Sequence, residues 1–198
     1  MGKELLSKEI FKTTFEEASD ILRYDLASAC QRLSEDELSS MSISQPAIFV
    51  FGIASYRYFV ESTGLRPAFL LGHSLGEYAA LAAMDAISFK DGVEMIKVRG
   101  ELLEREGKRH NGQMLAVSGA EVSMTEDICN ACVTHGMEVY LAVVNASNQH
   151  VIAGTPAGVT MASSMLESVG ATTRKLTIFT ASHCPLLKDA VDEMRECL

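Results

Sequence analysis

The sequence predicts an α/β protein built in two parts, and three observations support this. The apolar residues 68–71 lead through a glycine-flanked serine into an alanine-rich helical stretch, which is the strand–turn–helix order of α/β proteins. From residue 113 the pattern becomes strand, helix, strand, strand, helix, strand. At 198 residues, 47% of them hydrophobic, the chain can bury one sizeable core or two small ones.

The first part is predicted to be mainly helical. Its predicted elements are helices near residues 3–20, 35–40 and 46–62, a strand over 67–71, the helix after the serine turn, and a helix from Ser88 to about Gly107. Pro46 suits a first helical turn, Gly64 a position just past a helix end, and Ser88 an N-cap. Because a parallel sheet needs several strands, one strand leaves this part incomplete.

The second part has a more regular pattern. Its predicted elements are strand Met114–Ser118, helix Ser123–Thr134, strands Glu138–Val144 and His150–Ala153, helix Pro156–Val169 and strand Thr172–Ile178. Gly136 and Gly170 are expected to end the two helices. The order β-α-β-β-α-β is that of a ferredoxin-like unit, and the chain is expected to bend back toward the first part over residues 179–185.

A nucleophile elbow is the strongest functional motif. In Gly72-His73-Ser74-Leu75-Gly76, a serine stands between an apolar stretch and a helix, with glycines two residues to either side. Such a turn projects the serine hydroxyl outward while the glycines let the backbone pass. It also places the Leu75 N–H at a helix N-terminus, where it can stabilise an oxyanion.

Charge and cysteine content narrow the class of protein. The net charge of −9 argues against nucleic acid or an anionic membrane as a partner. No uninterrupted apolar run of about 18 residues and no signal-peptide layout is present, so a cytoplasmic protein is expected. Cys129 and Cys132 form a C-x-x-C within a helical pattern. Without a second pair, they are expected to pack between helices, and no metal site is predicted.

The segment GHSLGEYAA around Ser74 resembles the active-site segment of malonyl-CoA:acyl-carrier-protein transacylases and polyketide synthase acyltransferase domains. Further segments resemble the same family, in its order along the chain: Ser44-Gln45-Pro46-Ala47, Val98-Arg99-Gly100, Asn145–Gly154 and Ser182–Leu187. The resemblance covers nearly the whole chain. It implies an α/β-hydrolase-like subdomain, residues 1–111 and 180–198, with a ferredoxin-like subdomain inserted at residues 112–179.

The resemblance also implies that the first subdomain is partial. The family's N-terminal strand with its G-Q-G loop, which supplies a second oxyanion donor, and its C-terminal strands have no counterpart here. Met1-Gly2-Lys3-Glu4-Leu5 resembles the sequence just after that loop. The chain is therefore expected to be a fragment, a truncated product or half of a split enzyme, with a complementing chain or domain as one partner.

Two residues carry the expected chemistry beside Ser74. A serine needs a base, and the resemblance assigns that role to His183, at the exit of the last predicted strand. Arg99 lies at a core-facing helical spacing, where a buried guanidinium needs an anion. Spacing alone supports a salt bridge with Glu94 or Glu101 as well as a substrate carboxylate. The resemblance favours the carboxylate of a malonyl group, which an arginine fork binds bidentately.

The expected roles of the other polar residues rest on fewer chemical arguments. Gln45, Asn145 and Gln149 lie in segments that resemble those of the family, and each can either hydrogen-bond within the substrate pocket or cap the end of a helix or strand. Asn145 and Gln149 are the substrate-binding candidates among them, and His73 is expected to buttress the pocket. Gln45 is interpreted as a helix-start residue rather than a catalytic one. The remaining histidines, His110, His135 and His150, are expected to be surface or hydrogen-bonded structural residues.

The predicted function is transfer of a malonyl group from CoA to the phosphopantetheine thiol of acyl carrier protein through a malonyl-serine intermediate, without a metal or redox cofactor. Because carrier proteins are acidic, docking needs local positive charge, for which the candidates are Lys97, Arg105, Lys108, Arg109, Arg174 and Lys175. Ordinary solvated cations are an equally good interpretation of each. The alternatives are an acyl hydrolase with the same serine and histidine, and a fragment that is inactive without its missing part.

Overall fold

A computed structural model describes residues 4–177 and 180–197. Four predictions fall outside the described residues: the helix start at residue 3, the strand end at Ile178, the bend at Phe179, and the resemblance to the family at residues 1–3. The helices are α1 Glu9–Leu22, α2 Leu26–Arg32, α3 Glu35–Leu38, α4 Met41–Thr63, α5 Leu75–Ala83, α6 Phe89–His110, α7 Val122–Thr134, α8 Pro156–Ser168 and α9 Val191–Arg195. The strands are β1 Gln113–Ser118, β2 Val139–Ala146, β3 Gln149–Gly154 and β4 Thr172–Lys175, and 3-10 helices cover Leu5–Ser7 and Pro185–Ala190.

The chain divides into two compact units, which we call the first and second units. The first contains the described residues up to Glu101 together with Cys197, and the second runs from Leu102 to Glu196. The division falls within α6. No described helix is both long and apolar enough to cross a membrane.

The first unit is helical in its described residues. Its core is formed by Phe11 and Phe15 of α1, Phe49 and Ile53 of α4, and Ile96 of α6. The prediction that α4 begins at Pro46 was wrong, because the helix begins five residues earlier, at Met41. A proline inside a helix removes one backbone hydrogen bond, but Pro46 is buried, so packing offsets that loss.

The helix α2 was not predicted. Its start is set by Asp25, whose side chain accepts a hydrogen bond of 2.8 Å from the N–H of Ser28. Leu26 then lies fully buried in the core. An acidic N-cap before a short apolar turn is a usable signal, but seven residues show too little periodicity to predict a helix.

The predicted strand over 67–71 was also wrong. These residues form no regular structure, and the sheet consists only of β1 to β4, so the described part of the first unit offers no strand to pair with. A single strand leaves its backbone donors and acceptors unsatisfied. Phe69 and Leu71 consequently lie 89% and 97% exposed, while Leu70 packs against the core.

The second unit contains the predicted six elements in the predicted order. Its antiparallel sheet has the strand order β2-β3-β1-β4. Side chains alternate between its faces: Leu115 and Ile152 pack with α7 and α8, whereas Met114 and Val151 pack with Leu186 on the opposite face. Each face of this sheet therefore has apolar cover from within the unit.

Candidate active site

The backbone at Ser74 has the strained conformation of a nucleophile elbow. Ser74 has φ 54° and ψ −114° and directly precedes α5, a conformation that a residue with a side chain adopts only at a cost. A Cβ at Gly72 would lie 2.0 Å from the carbonyl carbon of Gly76 and 2.2 Å from the nitrogen of Glu77. Position 72 therefore requires glycine, so that the start of α5 can fold back against it.

The second glycine of the motif differs from expectation. A Cβ at Gly76 would meet no atom within 4 Å, so clearance for the backbone requires glycine only at position 72. The expectation that the glycines let the backbone pass is therefore confirmed at position 72 and not at position 76. Residue 76 already lies in α5, where a Cβ would meet open space.

The backbone amides at the start of α5 define a donor site. The N–H of Gly76 donates to the carbonyl of His73 at 2.9 Å, and that of Glu77 to the carbonyl of Ser74 at 3.1 Å. Leu75 is the first residue of the helix, and a first-turn N–H has no carbonyl acceptor within its own helix. With the positive end of the helix dipole, the Leu75 N–H suits an oxyanion.

Arg99 lies beside the serine. Its Nη2 donates a hydrogen bond of 2.9 Å to Ser74 Oγ, and its Nη1 donates to Gln45 Oε1. Burial lowers the pKa of the Arg99 guanidinium, but an arginine stays charged at neutral pH. It forms no ion pair with any side chain that the structure describes, and Glu94 pairs with Lys90 instead. The half-buried cation thus faces neutral oxygens, which leaves it suited to binding an anionic group.

Gln45 is a candidate site residue that the sequence interpretation assigned instead to a helix start. It lies within α4 rather than at a helix start, and it binds Arg99. The two helices approach closely here, since a Cβ at Gly100 would lie 2.5 Å from the carbonyl oxygen of Met41. The segment Ser44-Gln45-Pro46-Ala47 held the signal, because a polar residue within an otherwise apolar helix needs a partner.

The remaining predicted site residues are exposed. His73 lies in the elbow. His183, in the second unit, has a left-handed backbone with φ 59° and precedes the 3-10 helix Pro185–Ala190. Asn145 and Gln149 lie in the β2–β3 hairpin of the second unit. The structure therefore brings Ser74, Arg99 and Gln45 together, and the other candidates belong to the second unit or to the exposed turn.

Several other expectations can be compared with the structure. His150 is fully buried, with Nδ1 3.2 Å from Thr125 Oγ1 and Nε2 3.1 Å from the Ser147 carbonyl oxygen, which confirms a hydrogen-bonded structural histidine. Cys129 and Cys132 lie in the core of the second unit. Burial raises the pKa of the Cys129 thiol to about 12, which disfavours the thiolate that metal or redox chemistry needs.

The family model of the acyl transferase domain matches residues 1–198. The chain belongs to this family. It is 36% identical over 200 residues to a malonyl CoA-acyl carrier protein transacylase of Bacillus subtilis strain 168, covering 100% of this chain and 63% of the relative.

Solved structures of the family superpose closely on the chain. FabD from Acinetobacter baumannii has a TM-score of 0.92 and 32% identity, covering 99% of this chain and 62% of that one. A malonyl-transacylase in complex with a type II polyketide acyl-carrier protein has a TM-score of 0.92 and 33% identity, covering 98% and 63%. The fold is therefore that of FabD-like acyltransferases, mixed α/β with a small antiparallel sheet. The chain spans about three fifths of the length of these proteins.

Proposed function

We propose that the chain is the acyltransferase part of an [acyl-carrier-protein] S-malonyltransferase for fatty-acid or polyketide synthesis. The observation that carries this proposal is the hydrogen bond of 2.9 Å from Arg99 to the hydroxyl of Ser74 in its strained elbow. A guanidinium that reaches Oγ can also reach the carboxylate of a short acyl group esterified there. Malonyl is such a group, whereas acetyl offers no anion to the same cation.

The proposed mechanism proceeds in two half-reactions. Ser74 loses its proton to His183 and attacks the thioester carbonyl of malonyl-CoA, while the Leu75 N–H stabilises the oxyanion. As the C–S bond breaks, His183 gives this proton to the departing sulfur, and CoA leaves as the thiol. The phosphopantetheine thiol of acyl carrier protein then loses its proton to His183 and attacks the malonyl-serine ester. As the ester C–O bond breaks, His183 gives this proton to the serine oxygen, which restores Ser74 and releases malonyl-carrier protein. Asn145, Gln149 and His73 line the substrate path in this proposal, and no metal or redox cofactor takes part.

The proposal includes an architecture and a location. Residues 1–111 and 180–198 form the α/β-hydrolase-like subdomain, and residues 112–179 the ferredoxin-like one, supported by the observed strand order of the sheet. A cytoplasmic location is supported by cysteine spacings that do not form a disulfide framework.

Docking of acyl carrier protein at positive charge has fewer candidate residues than the sequence suggests. Three of the candidates already pair with carboxylates of their own chain, namely Arg105, Lys108 and Arg109.

The test is acylation of the purified chain by malonyl-CoA, followed by intact-protein mass spectrometry. We expect a malonyl adduct on the wild type and none on Ser74→Ala. Arg99→Ala should lose malonyl transfer by about tenfold or more, as expected when a charge-assisted hydrogen bond is removed, and should not lose transfer from acetyl-CoA. Equal losses with both thioesters would contradict a carboxylate-binding role for Arg99.

A second candidate function is favoured by the exposed apolar segment at Phe69 and Leu71. In it, the chain contributes the serine and arginine to an enzyme that becomes active only when further polypeptide covers this segment. Absence of an adduct from a well-folded chain, with an adduct forming once the rest of a full-length family domain is supplied, would favour this candidate. An adduct that releases free malonate without transfer to carrier protein would instead indicate a hydrolase.

A further inference from the structure

A buried carboxylate in the second unit plays no part in the chemistry above. Glu106, on α6, is 2% exposed. Its Oε1 accepts a hydrogen bond of 3.0 Å from Arg105 Nε, and its Oε2 lies 3.4 Å from Arg109 Nη1 and 3.5 Å from His110 Nε2. Burying a carboxylate is costly unless it is paired, and here the contacts with basic neighbours offset that cost.

Both arginines also bind the chain segment that follows His183. Arg105 forms a two-pronged pair with Glu193 of α9, with Nη1–Oε2 2.9 Å and Nη2–Oε1 2.6 Å. Arg109 Nη1 donates to Asp189 Oδ2 at 2.8 Å. The hydrogen bonds from Arg105 lower the pKa of Glu193. The buried carboxylate therefore contacts two arginines, and each arginine also binds a carboxylate within residues 185–195.

The segment held in this way adjoins a strained turn. His183 has φ 59°, which a residue with a side chain keeps only when its surroundings impose it. Before the turn, Ala181 is 2% exposed and lies so close to Gly112 that a Cβ there would be 2.4 Å from the Ala181 nitrogen. After the turn, Leu186 packs against the sheet, and the two ion pairs follow. The turn is thus fixed on both sides.

We propose that Glu106 is a positioning residue for His183, acting through Arg105 and Arg109 on residues 185–195. The role of His183 itself rests on the proposed function, but the fixing of the segment does not. The side chains of Arg105 and Arg109 are 49% and 57% exposed, and those of their distal carboxylates 51% and 44%. Exposed pairs of this kind are weak by themselves. The buried carboxylate strengthens them by holding both guanidinium groups in place before they reach their distal partners.

The first test is hydrogen exchange of the full chain with Glu106→Gln. Amides of residues 185–196 should exchange about tenfold faster or more, while α7 and α8 keep their protection. The matched control is Glu104→Gln, the same change on the same helix, at a carboxylate that pairs with Lys108. Unchanged exchange in the segment, or an equal increase throughout the chain, would overturn the proposal.

If Glu106→Gln does not fold, a second variant tests the same proposal. The double variant Asp189→Asn/Glu193→Gln leaves the buried carboxylate paired and changes only half-exposed positions. We expect it to give the same local increase in exchange over residues 185–196. If the segment stays protected in this variant, the ion pairs do not fix it and the proposal fails.

The link to His183 needs two readouts beyond stability. The imidazole Cε1–H NMR signal of His183, assigned with His183→Gln, should shift in Glu106→Gln, whereas that of His135 should not. The rate of Ser74 acylation should fall about tenfold or more, with the malonyl-CoA concentration at half-saturation unchanged because Arg99 is untouched. A loosened segment with an unshifted His183 signal contradicts positioning. Failure of the wild type to be acylated counts against the proposed function alone, since the NMR and exchange measurements still decide the role of Glu106.

Discussion

The two units of the chain differ in how far their own residues pair their backbone groups and cover their apolar side chains. In the second unit, four strands pair with one another and apolar side chains cover both faces of the sheet. In the first unit, the segment whose sequence pattern predicts a strand has no partner strand among the described residues, and Phe69 and Leu71 face solvent. Ser74 and Arg99, the proposed nucleophile and the proposed carboxylate-binding residue, are hydrogen-bonded to each other in this first unit.

This difference shows which structures a local sequence can produce. A helix satisfies its backbone within one segment, and the β2–β3 hairpin satisfies much of it between neighbouring segments. A parallel strand depends on partners far along the chain. An apolar pattern such as residues 68–71 therefore predicts a strand only where those partners exist.

The largest expected effect lies in the core of the second unit. Ile152→Ala in β3 removes a fully buried side chain that packs with α7 and α8, so the free energy of unfolding should fall by about 2–5 kcal/mol. Denaturant unfolding monitored by exchange of the sheet amides measures this. The matched control is Val144→Ala in β2, a position that is 53% exposed, where a comparable loss would contradict the description of the sheet.

The next effect concerns the elbow, where one glycine is constrained and the other is not. Gly72→Ala forces the start of α5 to move, because the new Cβ would lie 2.0 Å from backbone atoms, and overpacking of this kind costs about 1–3 kcal/mol. Gly76→Ala meets open space and should stabilise the helix by about 0.5–1 kcal/mol. Thermal unfolding of both variants tests the contrast, and equal destabilisation would show that position 76 is constrained too.

The sequence predicted the second unit better than the first for the same physical reason. Alternating apolar residues and the end glycines Gly136 and Gly170 marked its elements to within a few residues. In the first unit, the start of α4 was misplaced because Pro46 is accommodated by packing that no local rule describes. At the site, Ser74 was evident from its turn. The hydrogen bond between Arg99 and Gln45 joins residues 54 positions apart, and it depends on the close approach of α4 and α6, which no spacing reveals.

A smaller effect is expected from acid on the ion pairs of the second unit. The pKa of Glu193 is lowered by its hydrogen bonds with Arg105, so the pair stabilises the segment fully above the carboxyl's unfolded pKa of about 4.3. That stabilisation is lost as the pH falls through the lower folded value. Protection factors of residues 185–196 should hold from neutral pH to about pH 5 and fall below about pH 4. In Glu193→Gln they should already be low at neutral pH and vary less with pH; an unaltered pH profile would contradict the assignment to Glu193.

The smallest effect should come from the exposed segment of the first unit. Phe69→Ser and Leu71→Ser alter side chains that contact mainly solvent, so each should change the free energy of unfolding by no more than about 0.5 kcal/mol and should reduce self-association in sedimentation velocity. Leu70→Ser is the matched control, because Leu70 alone of the three packs against the core and should cost more. If Phe69→Ser and Leu71→Ser destabilise the chain as much as Leu70→Ser does, the segment is covered in solution and the contrast between the two units fails. If they are neutral in this chain but abolish activity once the rest of a full-length family domain is supplied, the segment gains its strand partners only from that added polypeptide.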